Sequence, residues 1–289
     1  MKLATFTHSG STRIGVVDGN EVVDLTVAAP DLPTQMLAFL EAGDDAMQAA
    51  HAAVAGGKRI PLADVHLEAP IARPPKFLAI GLNYADHVAE SGMDTPEHVM
   101  IFNKQSTCVT GPTDPVHVPK ISHVLDYEGE LGIVIGKHGR HVSRENAAEY
   151  IAGYTVVDDV TVRDWQFHTP TWTMGKSFDT HGPIGPWIVT TDEIPDPHQL
   201  ELRTYVNDEL RQESNTKQLI FDCFHLVEHI SKAFTLEPGD IIATGTPGGA
   251  GLLRKPPCLL KDGDVVRVEI DGIGKIENPV IDEPADTVR

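Results

Sequence analysis

The sequence predicts a β-rich α+β fold, and three observations carry that expectation. Short runs rich in Val, Ile, Thr and Tyr recur along the chain, bounded by Gly, Pro, Asp or Asn. Segments of helical period are few and irregularly spaced, which does not suit alternating βαβ units. The 289 residues are 41% hydrophobic and 22% charged, ordinary for a globular chain able to bury a sizeable core.

The opening runs "KLATFTH", "TRIGVVDG" and "NEVVDLT" read as strands joined at Gly10 and at Asp18-Gly19, the second a hairpin turn. A helical run follows from Thr34 to Ala55 and stops at Gly56-Gly57. The prolines of "EAPIARPPKFLAIGLN" disfavour continuous helix and lead into a strand at 77–80. The chain is therefore expected to divide near residue 70, into a small N-terminal domain (1–70) and a larger one (71–289). Further on, strands are predicted in "DYEGELGIVIG", "YIAGYTVVDD", "GPWIVT", "LELRTYVNDELRQ", "DIIATG" and "DVVRVEI". Helices are predicted in "SRENAAEYI", with Ser143 as N-cap, and in "DCFHLVEHISKAF". The latter puts Cys223, Leu226, Val227, Ile230 and Phe234 on one stripe.

Charge and cysteine usage exclude several functions. With 42 acidic residues against 23 basic ones, the net charge of −19 repels phosphate backbones and anionic lipid. No nucleic acid or membrane partner is expected. The N-terminus lacks a signal-like apolar stretch, and no window has the length of a membrane span. Cys108, Cys223 and Cys258 lie far apart with no CxxC, which points to reduced thiols in the cytoplasm.

The candidate chemistry starts at "VLDYEGELGIVIG". Strand alternation puts Glu128 and Glu130 on one face, and the apolar run after them predicts cover on both sides. Two buried carboxylates repel each other unless a cation sits between them, and hard Mg²⁺ or Mn²⁺ prefers such oxygens. The ordinary alternative is a solvated strand face, as in "VVRVEI". A third acid, Asp158 or Asp159, ends the strand of "GYTVVDDVTVRDWQ"; alternation allows only one of them inward and does not choose. In "AIGLNYADHVAE", His87 and Glu90 are helical neighbours and have the makeup of a general base, preceded by Asn83 and Tyr84. Lys176 stands in a glycine-bounded turn and could counter the acids. "ATGTPGGAG" offers backbone amides, including Gly245, and the Thr246 hydroxyl as an anion nest. It is neither a Walker A loop nor GxGxxG before a helix, which disfavours nucleotides.

Order and spacing together carry more than any one motif. "GLNYADHVAE", "YEGELGIVIG", "GYTVVDDVTVRDWQ", "GKSFDT", "PGDIIATGTPGG" and "RKPPCLLKDGDVV" resemble the fumarylacetoacetate hydrolase superfamily over about residues 75–280. The resemblance implies a mixed β-roll or β-sandwich catalytic domain behind a small N-terminal α/β domain, in a homodimer. It implies Mg²⁺ or Mn²⁺ held by Glu128, Glu130 and Asp159, since the family's aspartate stands one position before its [VM]TxRD pattern. His87 with Glu90, and Lys176, take the catalytic positions; Asn83, Tyr84, Arg163, Gln166, Gly245 and Thr246 take substrate-binding ones. Gln105 departs from the proline frequent after the family's lysine. The implied activity is C–C hydrolysis of a β-diketo or acylpyruvate-type 2-oxo acid through a metal-stabilised enolate. The alternatives are oxaloacetate tautomerase or decarboxylase, the branch that "GTPGGAGLLRKPP" resembles most, then hydroxymuconate-type isomerase or sugar-acid dehydratase. A non-catalytic metal- or metabolite-binding protein is the reading from a different class.

Overall fold

Residues 1–287 are described by the computed structural model, and they form the β-rich α+β architecture that the sequence predicts. The larger sheet runs in the order Arg59–Pro61, Glu21–Asp24, Ser11–Asp18, Lys2–His8, Gly182–Thr190, Ile151–Asp158, Gly129–Ile135, Ile241–Ala243, Phe77–Gly81, Met100–Lys104. The second sheet orders Glu209–Asn215, Glu201–Val206, Val265–Ile270, Gly274–Asp282 and Val116–Val118. Strand alternation explains how they meet. Leu131, Ile133, Tyr154 and Val156 of the first sheet pack with Leu202, Val268, Ile270 and Ile276 of the second, and the Cys223–Ala233 helix adds Leu226, Val227 and Ile230. The opposite face of the first sheet, with Val134, Val157 and Ile241, is covered by Phe39, Leu40 and Ala46 from the N-terminal helices. Every residue of Gly129–Ile135 is consequently buried, as a strand covered on both sides must be.

The opening segment extends this sheet: Lys2 and Leu3 pair antiparallel with Val189 and Ile188. Among the described residues, no helix is long and apolar enough to cross a membrane.

Four local differences from the sequence expectation have physical causes. The run 34–55 breaks into helices Met36–Glu41 and Gly43–Val54, because Gly43 adopts φ +69°, which a helix interior cannot hold. The "NEVVDLT" strand stops at Asp24, whose Oδ1 accepts the Thr26 amide at 3.0 Å and caps a short helix. Ser143 stands at the N-cap position but makes no capping hydrogen bond, and Arg144–Tyr150 is 3₁₀. The stretch "VLDYEGELGIVIG" is two strands, Leu125–Asp126 and Gly129–Ile135. Between them the Tyr127 amide donates to Asp126 Oδ1 at 3.0 Å and the Glu128 amide to Asp158 Oδ1 at 2.8 Å. Side-chain carboxyls take the amides that a continuous ladder would use.

Candidate active site

The antiparallel pair Gly129–Ile135 and Ile151–Asp158 brings three acids together. Gly129 lies opposite Asp158, and the Asp159 amide donates to the Glu128 carbonyl at 2.9 Å. Glu128, Glu130 and Asp159 follow from that register. They are buried, and one oxygen from each lies within 4.8 Å of the others. Asp158 is turned away from this cluster toward the Glu128 amide, and burial pushes its carboxyl up to about 7.

Three cations crowd the acids. Lys176 Nζ donates to Glu128 Oε2 at 2.5 Å and Asp159 Oδ2 at 2.7 Å. Lys104 Nζ donates to Asp159 Oδ1 at 2.6 Å and to the carbonyls of Lys176 and His181. Arg163 pairs with Asp126 Oδ2 at 2.7 Å and Glu128 Oε1 at 2.8 Å. Five buried carboxyls (Asp126, Glu128, Glu130, Asp158, Asp159) share three buried cations (Lys104, Arg163, Lys176), and Glu130 and Asp158 are the two without an ion pair among the described residues. Burial pushes Glu128 up, but Lys176 and Arg163 outweigh it and hold it down at about 2. Burial, Asp159 and Glu128 push Glu130 well above the carboxylate range. Glu130 makes no ion pair among the described residues and accepts one hydrogen bond there, from the Gly245 amide at 2.7 Å. An all-oxygen donor set in which Glu130 is left without a cation beside it fits a hard divalent cation.

His87 and Glu90 both lie on the Ala85–Ser91 helix beside this cluster. They are not hydrogen-bonded to each other. His87 Nδ1 is buried without a partner, and burial lowers the imidazole below its ordinary value of 6.5. Glu90 Oε2 instead accepts the Gly249 amide at 2.7 Å. The glycine-rich loop accordingly does not present a free anion nest: its amides serve the chain's own carboxylates. Gly245 donates to Glu130, Gly248 to Asp86 at 3.3 Å, and Gly251 and Leu252 to Asp126 at 2.8 and 3.0 Å. One loop ties together the acid cluster, the His87 helix and the Arg163 partner.

A cavity of about 160 Å³ opens on the acids, and His87, Glu128, Glu130, Arg163, Gln166, Lys176 and Thr246 line it. Arg163 Nη1 donates to Gln166 Oε1 at 3.1 Å, and Thr246 Oγ1 donates to the Gly129 carbonyl at 3.0 Å. Asp159, which accepts from Lys176 Nζ, does not line the cavity. Asn83, Tyr84 and Gly245 do not line the cavity. Asn83 is buried with both ends of its amide on backbone: Nδ2 donates to the Phe221 and Thr244 carbonyls at 3.0 and 2.7 Å, and Oδ1 accepts the Phe221 amide at 2.8 Å. Tyr84 is wholly buried. The Asn83 amide braces the wall, whereas the Tyr84 hydroxyl has no hydrogen-bond partner among the described residues.

Sequence reasoning passed over Asp126 and Lys104. Asp126 is two residues before Glu128, so alternation already placed it on the same face. Lys104 ends Met100–Lys104, where Phe102 and Lys104 are the buried pair, again two apart. Gly175 positions Lys176, since a Cβ there would come within 2.2 Å of the Gln166 amide nitrogen. Gly175→Ala is expected to destabilise the fold by about 1–3 kcal/mol. A lowered urea midpoint, with weakened metal binding, would show it.

Comparison with known proteins accords with this geometry. Residues 76–281 match the family model described as fumarylacetoacetate (FAA) hydrolase, C-terminal, and residues 1–70 match "Rv2993c-like, N-terminal". The chain is 45% identical over 288 residues to the mitochondrial oxaloacetate tautomerase fahd2 of Xenopus laevis, covering 97% of this chain and 90% of that one. The maleylpyruvate hydrolase of Sphingobium sp. SYK-6, solved with manganese(II) and pyruvate, superposes with a TM-score of 0.83 at 36% identity, covering 98% and 100% of the two chains. The 5-carboxymethyl-2-hydroxymuconate delta-isomerase of Mycobacterium smegmatis does so with a TM-score of 0.79, also at 36% identity and the same coverage. By its sequence, its fold and the order of its motifs, the chain belongs to the fumarylacetoacetate hydrolase superfamily, near the oxaloacetate tautomerase branch.

Proposed function

We propose that the protein is a divalent-metal-dependent enzyme acting on 2-oxo carboxylic acids through an enolate. The observation that carries this reading is the buried cluster of Glu128, Glu130 and Asp159, in which Glu130 has no cation partner among the described residues, beside a cavity lined by Glu128, Glu130 and His87. Mg²⁺ or Mn²⁺ held there would supply Lewis-acid stabilisation of the charge that develops on the 2-oxo oxygen. The chain supplies the rest. His87, kept neutral by burial, takes and returns the C3 proton through an unpaired ring nitrogen. Arg163, locked between Asp126 and Glu128, and Gln166 beside it orient the substrate carboxylate. Lys176 holds Glu128 and Asp159 in place and offsets their charge.

Enol–keto exchange of oxaloacetate is the first reaction of this reading, supported by the relatives of that activity that match along nearly the whole chain. C–C hydrolysis of an acylpyruvate-type acid is the second, supported by the likeness to maleylpyruvate hydrolase. We carry a homodimer, a cytoplasmic location and the two-domain division as parts of the same proposal. The exposed apolar side chains of Phe167 and Met174, 66% and 58% exposed, are of the kind that a second copy would cover.

The test follows the enol absorbance of oxaloacetate and acetylpyruvate with Mg²⁺ or Mn²⁺, then with excess EDTA, and identifies products by NMR. Turnover is expected with metal and is expected to vanish with EDTA; the products separate tautomerisation from cleavage. Tight metal binding with no turnover of either acid would point instead to a binding protein.

A further inference from the structure

We propose that the outer half of the cavity is a subsite for an apolar tail. The enzyme would then prefer 2-oxo acids extended by a hydrocarbon or aromatic group to those extended toward a second carboxylate. This rests on the reading that a 2-oxo acid head binds at Glu128, Glu130 and Asp159.

An aromatic wall runs outward from that point. Lys176 Nζ lies 5.2 Å from the Phe102 ring centroid. The Phe102 and Trp172 rings meet edge to face, with centroids 5.6 Å apart at 65°. Trp172 in turn lies on Gly81, where a Cβ would come within 2.5 Å of the indole Cζ3, so the glycine is the seat of the ring. Trp172 holds this place at φ +59°, a left-handed backbone that bulky side chains rarely adopt and that the loop must over-determine. Leu252 and Leu253 line the cavity as well, on the Gly251–Leu253 turn whose Gly251 and Leu252 amides are anchored on Asp126. Exposure rises outward along this wall, from Glu130 at 1% to Phe102 at 7% and Phe167 at 66%.

A distal carboxylate would meet no lysine or arginine on this wall: the two that line the cavity, Arg163 and Lys176, lie at its deep end beside Glu128, where the head carboxylate binds. Arg163 is held by Asp126 and Glu128 at 2.7 and 2.8 Å, and Lys176 by Glu128 and Asp159 at 2.5 and 2.7 Å. A carboxylate moved from water onto the Phe102–Trp172 wall loses hydration with no charge partner in return. Each methylene placed there is gained. A four-carbon dicarboxylate can keep both charges among the deep polar groups, so the preference concerns longer acids.

Isothermal titration of the Mn²⁺-loaded protein with pyruvate, 2-oxohexanoate and 2-oxoadipate tests this without turnover. The last two have equal carbon counts and differ in their ends. 2-Oxohexanoate is expected to bind at least about tenfold more tightly than pyruvate and than 2-oxoadipate. Trp172→Asn, a residue that tolerates positive φ, and Leu253→Ala should each shrink the advantage over pyruvate. Leu253→Arg should reverse the preference over 2-oxoadipate. An advantage below about threefold over 2-oxoadipate, less than one methylene is worth, overturns the apolar subsite. Pyruvate binding then still upholds the head-group reading. Absence of binding by all three acids overturns both.

Discussion

Glu130→Gln is expected to lower the affinity for Mn²⁺ by at least about 100-fold, and turnover with it. It is also expected to leave the metal-free fold as stable as the wild type or more so. The two effects have opposite signs because Glu130 is the acid without an ion-pair partner. Glu128 is matched by Lys176 and Arg163, and Asp159 by Lys104 and Lys176, whereas Glu130 has only the Gly245 amide at 2.7 Å. Burial, Asp159 and Glu128 raise its pKa, so ionising it destabilises the metal-free chain as pH rises above the ordinary carboxylate range. Glutamine removes that charge, and its amide oxygen can still accept from Gly245. In the wild type, a cation binding the folded chain alone raises stability by RT ln(1 + [L]/Kd). Thermal melts with EDTA and with Mn²⁺ therefore decide the matter. The wild type should rise on adding metal and the variant should not. An undiminished rise in the variant would remove Glu130 from the ligand set.

The same contrast shows how much of the site was legible in the sequence. Glu128 and Glu130 could be read together because strand alternation is a local rule, and the apolar run after them announced burial on both faces. Asp126 and Lys104 obeyed that rule equally but were passed over. The choice between Asp158 and Asp159 was not local. It depends on the Asp158 carboxyl being taken up by the Glu128 amide, a contact between residues 30 apart in sequence. The glycine-rich loop shows the limit most clearly. Its composition announced free amides, but what those amides bind depends on Asp86, Glu90, Asp126 and Glu130, which approach from elsewhere in the fold. The β-rich class was readable from strand signals. The joining of the opening strands to Gly182–Thr190 was not, since the pairing of Lys2 with Val189 and Leu3 with Ile188 leaves no trace in local periodicity.

His87→Asn is expected to lower kcat by about 10²- to 10⁴-fold, the range for loss of a general acid–base. The Mn²⁺-induced rise in melting temperature should survive, because His87 holds no place among the three acids. Burial lowers the His87 pKa, so the imidazole stays neutral and competent as a base below the ordinary 6.5. The acid limb of kcat/KM against pH should accordingly have its midpoint under that value, and a cation bound nearby would push it the same way. Glu90 allows a sharper test. Sequence spacing makes it the partner of His87, yet its carboxylate is held by the Gly249 amide. Glu90→Gln keeps an acceptor for that amide, so if Glu90 serves to dock the helix its loss in kcat should be no more than about a tenth of the loss in His87→Asn, since the base itself is retained. A loss as large as that of His87→Asn would mean that the helix turns on substrate binding and that the two side chains then act as one unit. Either result fixes whether the proton moves through His87 alone or through a pair that the Glu90–Gly249 hydrogen bond holds apart.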